Sequence, residues 1–173
     1  MFLHRGERGR ARLPPGRAVL KLRHRLLQRG LLAHGRLSRG MTLGVRAMLL
    51  KDDAVLLVKH SYLPGWYFPG GGVEPPETVG EALSREIREQ AGAALTSPPR
   101  LFGIYRNAKA DSRDHVAFYV CRDWQRAPGF KLPNREIVAA ELFPLARLPP
   151  ETTQATLARL GEVLRGQPLS ADW

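Results

Sequence analysis

A run of three glycines, Gly70 to Gly72, precedes a helix-like segment and constrains this chain more than any other feature. Because glycine has no side chain, its backbone carbonyls and amides can come close to an ion or a phosphate. Residues 77–91 are predicted to form one helix, since Pro75 and Pro76 suit its first turn and Gly92 follows its end. The sequence therefore predicts a bare backbone loop that leads into a helix.

The predicted helix carries two carboxylates and an amide on one face. Glu86, Glu89 and Gln90 stand at positions i, i+3 and i+4, so their side chains project within one turn of each other. Neighbouring carboxylates repel each other, and a cation between them offsets the repulsion. Mg²⁺ prefers oxygen ligands, so this face and the glycine loop predict a magnesium site, with Mn²⁺ as an alternative ion. Taken alone, the glutamate pair is weak evidence for such a site, because most pairs at this spacing lie on a solvated helix surface.

The spacing over the whole segment closely resembles the Nudix box, a signature with many fixed positions. The matching residues are Gly71, Glu77, Arg85, Glu86, Ile87, Glu89, Gly92 and Ala93. The resemblance covers about residues 41 to 165 and implies the α/β/α sandwich of that family. It implies hydrolysis of a nucleoside diphosphate linked to another group, by water attacking phosphorus.

The resemblance also implies roles for single residues. Gly71 and Gly92 would be structural, and Glu77 would form a salt bridge with Arg85 that pins the loop to the helix. Glu81, one turn before Arg85, is expected to share the guanidinium. Among the metal ligands, Glu86 and Glu89 would hold Mg²⁺ together with the carbonyl of Gly70.

One position departs from the family pattern. Gln90 stands where the second glutamate of a Glu-Glu pair is expected, and that glutamate is commonly a metal ligand. An amide oxygen can still coordinate Mg²⁺, but it brings no charge, so we expect weaker binding and one ion rather than several. Glu136 resembles the later acidic residue that family members supply to the metal or the water, and we prefer it to Glu141 because it precedes a predicted strand. Glu86, Glu89 and Glu136 are thus the catalytic candidates.

Three further side chains are candidates for substrate contact. Arg46 lies on the first predicted strand, where a cation can reach a diphosphate. Tyr62 and Trp66 flank the glycine loop and can stack on a base or a flat leaving group. The alternative for Trp66, as for Phe68, is a place in the core.

The elements around the helix follow the order strands, helix, strands, helix. Short β-like runs precede the glycines, including "WYF", and three more follow the helix before a closing helix at residues 151–164. This order without regular alternation favours an α+β fold with a mixed sheet. We predict a Nudix-like domain at residues 41–166 and a C-terminal tail at 167–173.

The positive charge of the chain is concentrated at its N-terminus. Residues 1–40 contain 11 Lys and Arg and one acidic residue, Glu7. We predict a basic arm that is disordered at first and then forms an amphipathic helix over residues 17–33. Such a helix can contact RNA or an anionic membrane, although we favour docking of its leucines on its own domain or on a second subunit. The single cysteine, Cys121, fits a reducing compartment, and we expect a cytoplasmic protein.

Two functions of the folded domain compete on this evidence. The first is Mg²⁺-dependent hydrolysis of a diphosphate linkage in a small nucleotide derivative. The second is a catalytically weak module of the same fold that binds a nucleotide or RNA, and Gln90 motivates it.

Overall fold

The computed structural model describes residues 40–173, which form seven strands and two helices. In chain order these are β1 (Thr42–Lys51), β2 (Ala54–His60), α1 (Val79–Ala91), β3 (Ala93–Leu95), β4 (Arg100–Arg106), β5 (Asp114–Cys121), β6 (Trp124–Arg126), β7 (Ile137–Pro144) and α2 (Gln154–Arg165). The predicted basic helix at residues 17–33 and nearly all of the basic arm lie outside the described residues, so the predicted RNA, membrane and second-subunit contacts stay predictions. Within residues 40–173, neither helix is long and apolar enough to cross a membrane.

Five of the strands form one mixed sheet with the order β4-β5-β1-β2-β7. The central pair, β1 and β5, is parallel, and the other neighbours are antiparallel. The short strands β3 and β6 form a separate two-stranded sheet. The predicted α+β class with a mixed sheet is confirmed.

Both faces of the five-stranded sheet are covered. Val45, Ala47 and Leu49 of β1 belong to the core layer beneath α1, whereas Met48 and Leu50 belong to the layer beneath α2. Because β-strand side chains alternate between faces, a strand buried on both sides is apolar at nearly every position. The chain therefore forms a helix-sheet-helix sandwich with a separate core on each side.

Helix α1 begins two residues later than its sequence predicts. Thr78 caps it, and Thr78 and Glu81 form a reciprocal capping box in which the Glu81 carboxylate accepts from the Thr78 backbone N–H at 2.7 Å. The expectation that Glu81 shares the Arg85 guanidinium is therefore wrong, because the cap takes its carboxylate. The helix ends at Gly92, whose backbone is left-handed.

Three other elements differ from their predictions. The "WYF" segment contributes only isolated bridges, such as Val58 with Tyr67. The three-residue strands β3 and β6 were not predicted, since so short a run has no readable period. Helix α2 starts at Gln154 with Thr153 as its cap, because Glu151 and Thr153 bond instead to the Trp66 backbone.

The predicted C-terminal tail packs on the domain. Trp173 donates its backbone N–H to the carbonyl of Arg106 at 2.9 Å and stacks edge-on against Phe118. The Asp172 carboxylate pairs with the Arg106 guanidinium at 2.7 Å. The tail thereby covers one edge of the core layer beneath α2.

Candidate functional site

The glycine loop runs along β1 and is held there by backbone hydrogen bonds. Val45 donates to the carbonyl of Gly71 at 2.8 Å, and Ala47 donates to the carbonyl of Pro69 at 2.9 Å. Gly70 has a φ of 148°, and a side chain there would collide with the Val45 carbonyl. A side chain on Gly71 would collide with the Glu86 carboxylate. The loop therefore needs glycine at both positions so that the strand, the loop and the helix can meet.

Arg85 ties the loop to helix α1, as the sequence predicts. Its guanidinium donates to both oxygens of Glu77, at 2.7 and 3.1 Å, and to the carbonyl of Gly72 at 3.0 Å. It also donates to Glu86 Oε1 at 2.6 Å. These hydrogen bonds lower the pKa of Glu77, and the two glutamates raise the pKa of Arg85. One guanidinium thus fixes the loop and orients Glu86.

Oxygens from three separate segments converge on the amide nitrogen of Gln90. Nε2 of Gln90 lies 2.9 Å from Glu86 Oε2, 2.9 Å from Glu136 Oε1 and 3.2 Å from the carbonyl oxygen of Gly70. Gln90 is almost fully buried, at 2% exposure, and Glu86 is buried beside it. The structure therefore brings Gly70, Glu86, Gln90 and Glu136 together, and we refer to these four residues as the oxygen cluster.

The orientation of the Gln90 amide is set by its neighbours. Its Oε1 accepts from the backbone N–H of Gly70 at 2.9 Å. A reversed amide would place Oε1 against two carboxylate oxygens and its NH₂ group against the Gly70 N–H, which is unfavourable at both ends. The expectation that the Gln90 oxygen faces the metal position is wrong in this state, since the nitrogen faces it.

Burial makes Glu86 the unusual acid of the site. Burial raises the pKa of Glu86, while the adjacent Arg85 guanidinium opposes that rise. The desolvation cost of its charge is partly offset by hydrogen bonds from Arg85 and Gln90.

Glu89 lies at the margin of the oxygen cluster. Its side chain is 59% exposed, and its Oε2 is 3.7 Å from Nη1 of Arg85. It shares the helix face with Glu86, as predicted, but it makes none of the contacts with Gln90. Within residues 40–173, no three His, Cys, Asp or Glu side chains gather closely enough to hold a metal ion.

Asn134 positions Glu136, and sequence reasoning missed it. Its Oδ1 accepts from the backbone N–H groups of Glu136 and Ile137 at 2.9 and 2.7 Å, and its Nδ2 donates to the carbonyl of Glu89 at 3.2 Å. Asparagine favours this kind of local turn, so the "PNREI" stretch held a signal. The contact with Glu89 joins the turn to the end of α1.

His60 and Tyr62 surround Glu136 from the β2 side. Tyr62 donates its hydroxyl to Glu136 Oε1 at 3.3 Å. His60 is buried with Nδ1 3.5 Å from the same oxygen, and this nitrogen finds no hydrogen-bond partner among the described residues. Burial lowers the pKa of His60, and Glu136 opposes the shift. Tyr62 remains largely exposed and free to meet a substrate.

Of the other two substrate candidates, Arg46 lies beside the glycine loop and Trp66 lies in the core. Arg46 is half-buried beside a cavity of about 160 Å³ that the glycine loop also lines. Burial lowers the pKa of Arg46, while Glu86 and Asp114 act in the opposite direction. Trp66 instead packs edge-on against Phe143, in the core layer beneath α2. The expectation that Trp66 stacks on a substrate is therefore wrong, because its ring faces the side of the sheet away from α1.

The donors of the oxygen cluster fit a hard divalent cation. Two carboxylates and one backbone carbonyl point at a single position, and all three donors are oxygen, as Mg²⁺ and Mn²⁺ prefer. The Gln90 nitrogen lies near that position, because the NH₂ group donates hydrogen bonds to the same oxygens that a cation would bind.

Comparison with known proteins identifies the family of this chain. The NUDIX domain profile matches residues 40–162. The chain belongs to the NUDIX family. The mutT NUDIX hydrolase of Burkholderia pseudomallei is similar in structure, with a TM-score of 0.60 and 29% identity over 70% of this chain and 97% of that one.

Two curated relatives of this NUDIX chain show how much the family's substrates vary. Diphosphoinositol polyphosphate phosphohydrolase 2 of Rattus norvegicus is 40% identical over 80 residues, which is 43% of this chain and 44% of that protein. The ADP-ribose pyrophosphatase of Methanocaldococcus jannaschii is 40% identical over 75 residues, or 42% and 44% of the two chains. The chain thus spans less than half the length of each of these curated relatives.

Proposed function

We propose that this chain hydrolyses a diphosphate linkage in a nucleoside diphosphate derivative, by attack of water on phosphorus and with Mg²⁺ as cofactor. The observation that carries the proposal is the convergence of Gly70, Glu86 and Glu136 oxygens on one position. These three groups would hold the ion, and exposed Glu89 is near enough on the helix face to join them. A bound divalent ion would neutralise charge on the diphosphate oxygens.

The remaining steps fall to the side chains of the chain itself. Glu86 would only hold the ion, whereas Glu136 faces the ion position with Oε1, so its second oxygen, Oε2, would orient a water molecule and accept its proton. Arg85 holds Glu86 in place with a 2.6 Å hydrogen bond, and Asn134 holds the backbone of Glu136. The chemistry needs no covalent nucleophile.

Arg46 would bind the substrate beside the oxygen cluster. Its guanidinium lies next to the glycine loop and lines a cavity with Asn107 and Asp114. A cation there can bind a phosphoryl oxygen while Asn107 and Asp114 offer polar contacts to a sugar or base. Tyr62, exposed and bonded to Glu136, can stack on the leaving group.

The names of the two relatives support a diphosphate substrate but do not identify the group that the diphosphate carries. One acts on a diphosphoinositol polyphosphate and another on ADP-ribose. Their common chemistry is a phosphoanhydride, which matches a site built around a cation position and an arginine.

Phosphate release from a panel of substrates tests the proposal. The panel contains nucleoside triphosphates, dinucleoside polyphosphates, nucleotide sugars, ADP-ribose, capped RNA and a diphosphoinositol polyphosphate, each with and without Mg²⁺. We expect one class to be cleaved in a Mg²⁺-dependent way and Glu86→Gln to remove nearly all of that turnover. Glu141→Gln is the matched control, since Glu141 is an exposed acid of β7, and it should keep wild-type turnover. No cleavage of any member of the panel would overturn the proposal.

A nucleotide-binding module is the second candidate, and Gln90 favours it. The amide leaves the cluster with two carboxylates rather than three, which weakens cation binding. A module of this kind would bind a panel member with or without Mg²⁺ and release no phosphate. Calorimetry on the same panel separates the two candidates.

A further inference from the structure

We propose that the Gln90 amide occupies the cation position itself, so that a divalent ion binds only after this side chain turns away. This inference rests on the proposed function, because it concerns the ion that the hydrolysis would use. Gln90 would then be a positioning residue that controls access to the cluster.

The distances place the amide and an ion in direct competition. Nε2 lies 2.9 Å from a carboxylate oxygen of Glu86, 2.9 Å from one of Glu136 and 3.2 Å from the Gly70 carbonyl. Mg²⁺ sits about 2.1 Å from its oxygen ligands, so an ion that these three oxygens held on the side of the amide would overlap the amide nitrogen. The two cannot be present together.

The amide also has too few hydrogens to bond all of the oxygens around it. An NH₂ group has two hydrogens, and three acceptors surround this one. Two of the acceptors are carboxylates, and the Glu86 carboxylate is buried, where a negative charge without a full positive partner is costly. A divalent ion therefore gains more from the cluster than the amide does, which makes the exchange favourable once the ion is present.

Turning the amide has a cost that is set by Gly70. The Gln90 side chain accepts from the Gly70 N–H at 2.9 Å and donates to the Gly70 carbonyl at 3.2 Å. An ion needs that same carbonyl, so its binding breaks the donated bond and rearranges the accepted one. The loop and the helix end must respond together when the ion enters.

Gln90 as a ligand of the ion and Gln90 as the occupant of the ion's position predict different results for Gln90→Ala. If Gln90 were only a ligand, its removal would weaken ion binding. If it is the occupant of the cation position, its removal frees the cluster, and Mn²⁺ should bind at least as tightly as in wild type. Gln90→Glu removes the occupant and adds a carboxylate, so its affinity for Mn²⁺ should rise by about tenfold or more.

Electron paramagnetic resonance of free Mn²⁺ measures these affinities on the full chain. Gln125→Ala is the matched control, because Gln125 is an exposed glutamine of β6, and it should bind Mn²⁺ as wild type does. In EDTA, Gln90→Glu should melt at a lower temperature than wild type, because three carboxylates then repel one another. Mn²⁺ should raise its melting temperature more than that of wild type. Weaker Mn²⁺ binding by Gln90→Ala, or no binding by any variant, would overturn the inference.

Nuclear magnetic resonance on the wild-type chain keeps the test independent of whether the variants fold. Titration with Mg²⁺ should shift the Gly70 backbone amide and the Gln90 side-chain amide with one common affinity. Ion binding that leaves both signals unmoved would refute the inference, even if hydrolysis is Mg²⁺-dependent. Conversely, the expected Mn²⁺ order without cleavage of any panel substrate would refute the proposed function alone.

Discussion

Replacing Gly71 with alanine is the sharpest test of how the glycine loop and helix α1 fit together and of the proposed function. A Cβ atom at this position would lie 2.5 Å from Glu86 Cδ and 2.8 Å from Oε2. Ordinary contact begins at about 3.4 Å, so the carboxylate must retreat by roughly 1 Å. Gly71 has no positive φ, so the alanine backbone itself is not strained there.

The size of the effect follows from that displacement. A misplacement of about 1 Å in a catalytic group costs on the order of 100-fold in rate, which corresponds to about 2.7 kcal/mol of activation free energy. Weaker hydrogen bonds from Arg85 and Gln90 to Glu86 should cost the fold about 2 kcal/mol. For a domain of this size, the melting temperature should fall by about 5–10 °C. Turnover is therefore expected to suffer much more than folding.

Turnover and thermal unfolding of Gly71→Ala and Gly72→Ala, measured side by side, check this expectation. A Cβ atom at Gly72 meets nothing within 4 Å, so that variant should resemble wild type in both measurements. The reasoning fails if Gly71→Ala retains turnover within about twofold of wild type at 25 °C, or if Gly72→Ala loses as much activity.

Three other predictions concern stability and reactivity. Arg85→Lys loses the paired hydrogen bonds to Glu77 and should destabilise the fold by about 1–2 kcal/mol in urea unfolding, with about tenfold lower turnover. Arg159→Ala leaves the buried carboxylate of Glu162 without its 2.7 Å partner, and urea unfolding should show a loss of about 3–5 kcal/mol. Burial raises the pKa of the Cys121 thiol to about 12, so iodoacetamide at pH 8.5 should label it only in denaturant. Because the neutral thiol is favoured in the folded state, its contribution to stability is complete below the unfolded pKa of about 8.5 and is lost as the pH rises toward 12.

Each of these predictions has a result that contradicts it. Unchanged urea midpoints would show that the Arg85 or Arg159 contacts contribute nothing. Labelling of Cys121 in the native protein at the rate seen in denaturant would show that the thiol is not buried. For Arg85→Lys, a loss of stability with full turnover would confine that residue to a structural role.

Local spacing accounts for what was predicted well. Residues one turn apart share a helix face whatever surrounds the helix, so Glu86, Glu89 and Gln90 were placed together from the sequence. The Glu77 and Arg85 pair followed from the family spacing, and the structure brings them to 2.7 Å. The glycines were identified because a residue without a side chain in such a run implies a close approach.

Contacts between distant segments account for what was missed. The position of Trp66 before the glycine loop fits a substrate contact and a core position equally, and the path of the chain decides for the core by turning the ring under α2. The spacing of Glu81 predicts a contact with Arg85, but the helix cap at Thr78 takes the same carboxylate. Asn134 holds Glu136 through a local turn, but the bond that joins this turn to helix α1 spans 45 residues, from Asn134 to the Glu89 carbonyl.

The sequence by itself determined the glycine loop, the acidic face of α1 and the mixed α+β class, because each depends on residue types at short, fixed spacings. The tertiary structure alone decided which oxygens meet, which sheet face each aromatic ring covers and which end of the Gln90 amide faces the cluster. Those outcomes depend on groups far apart in the chain competing for the same hydrogen bonds, and no local pattern records which of them prevails.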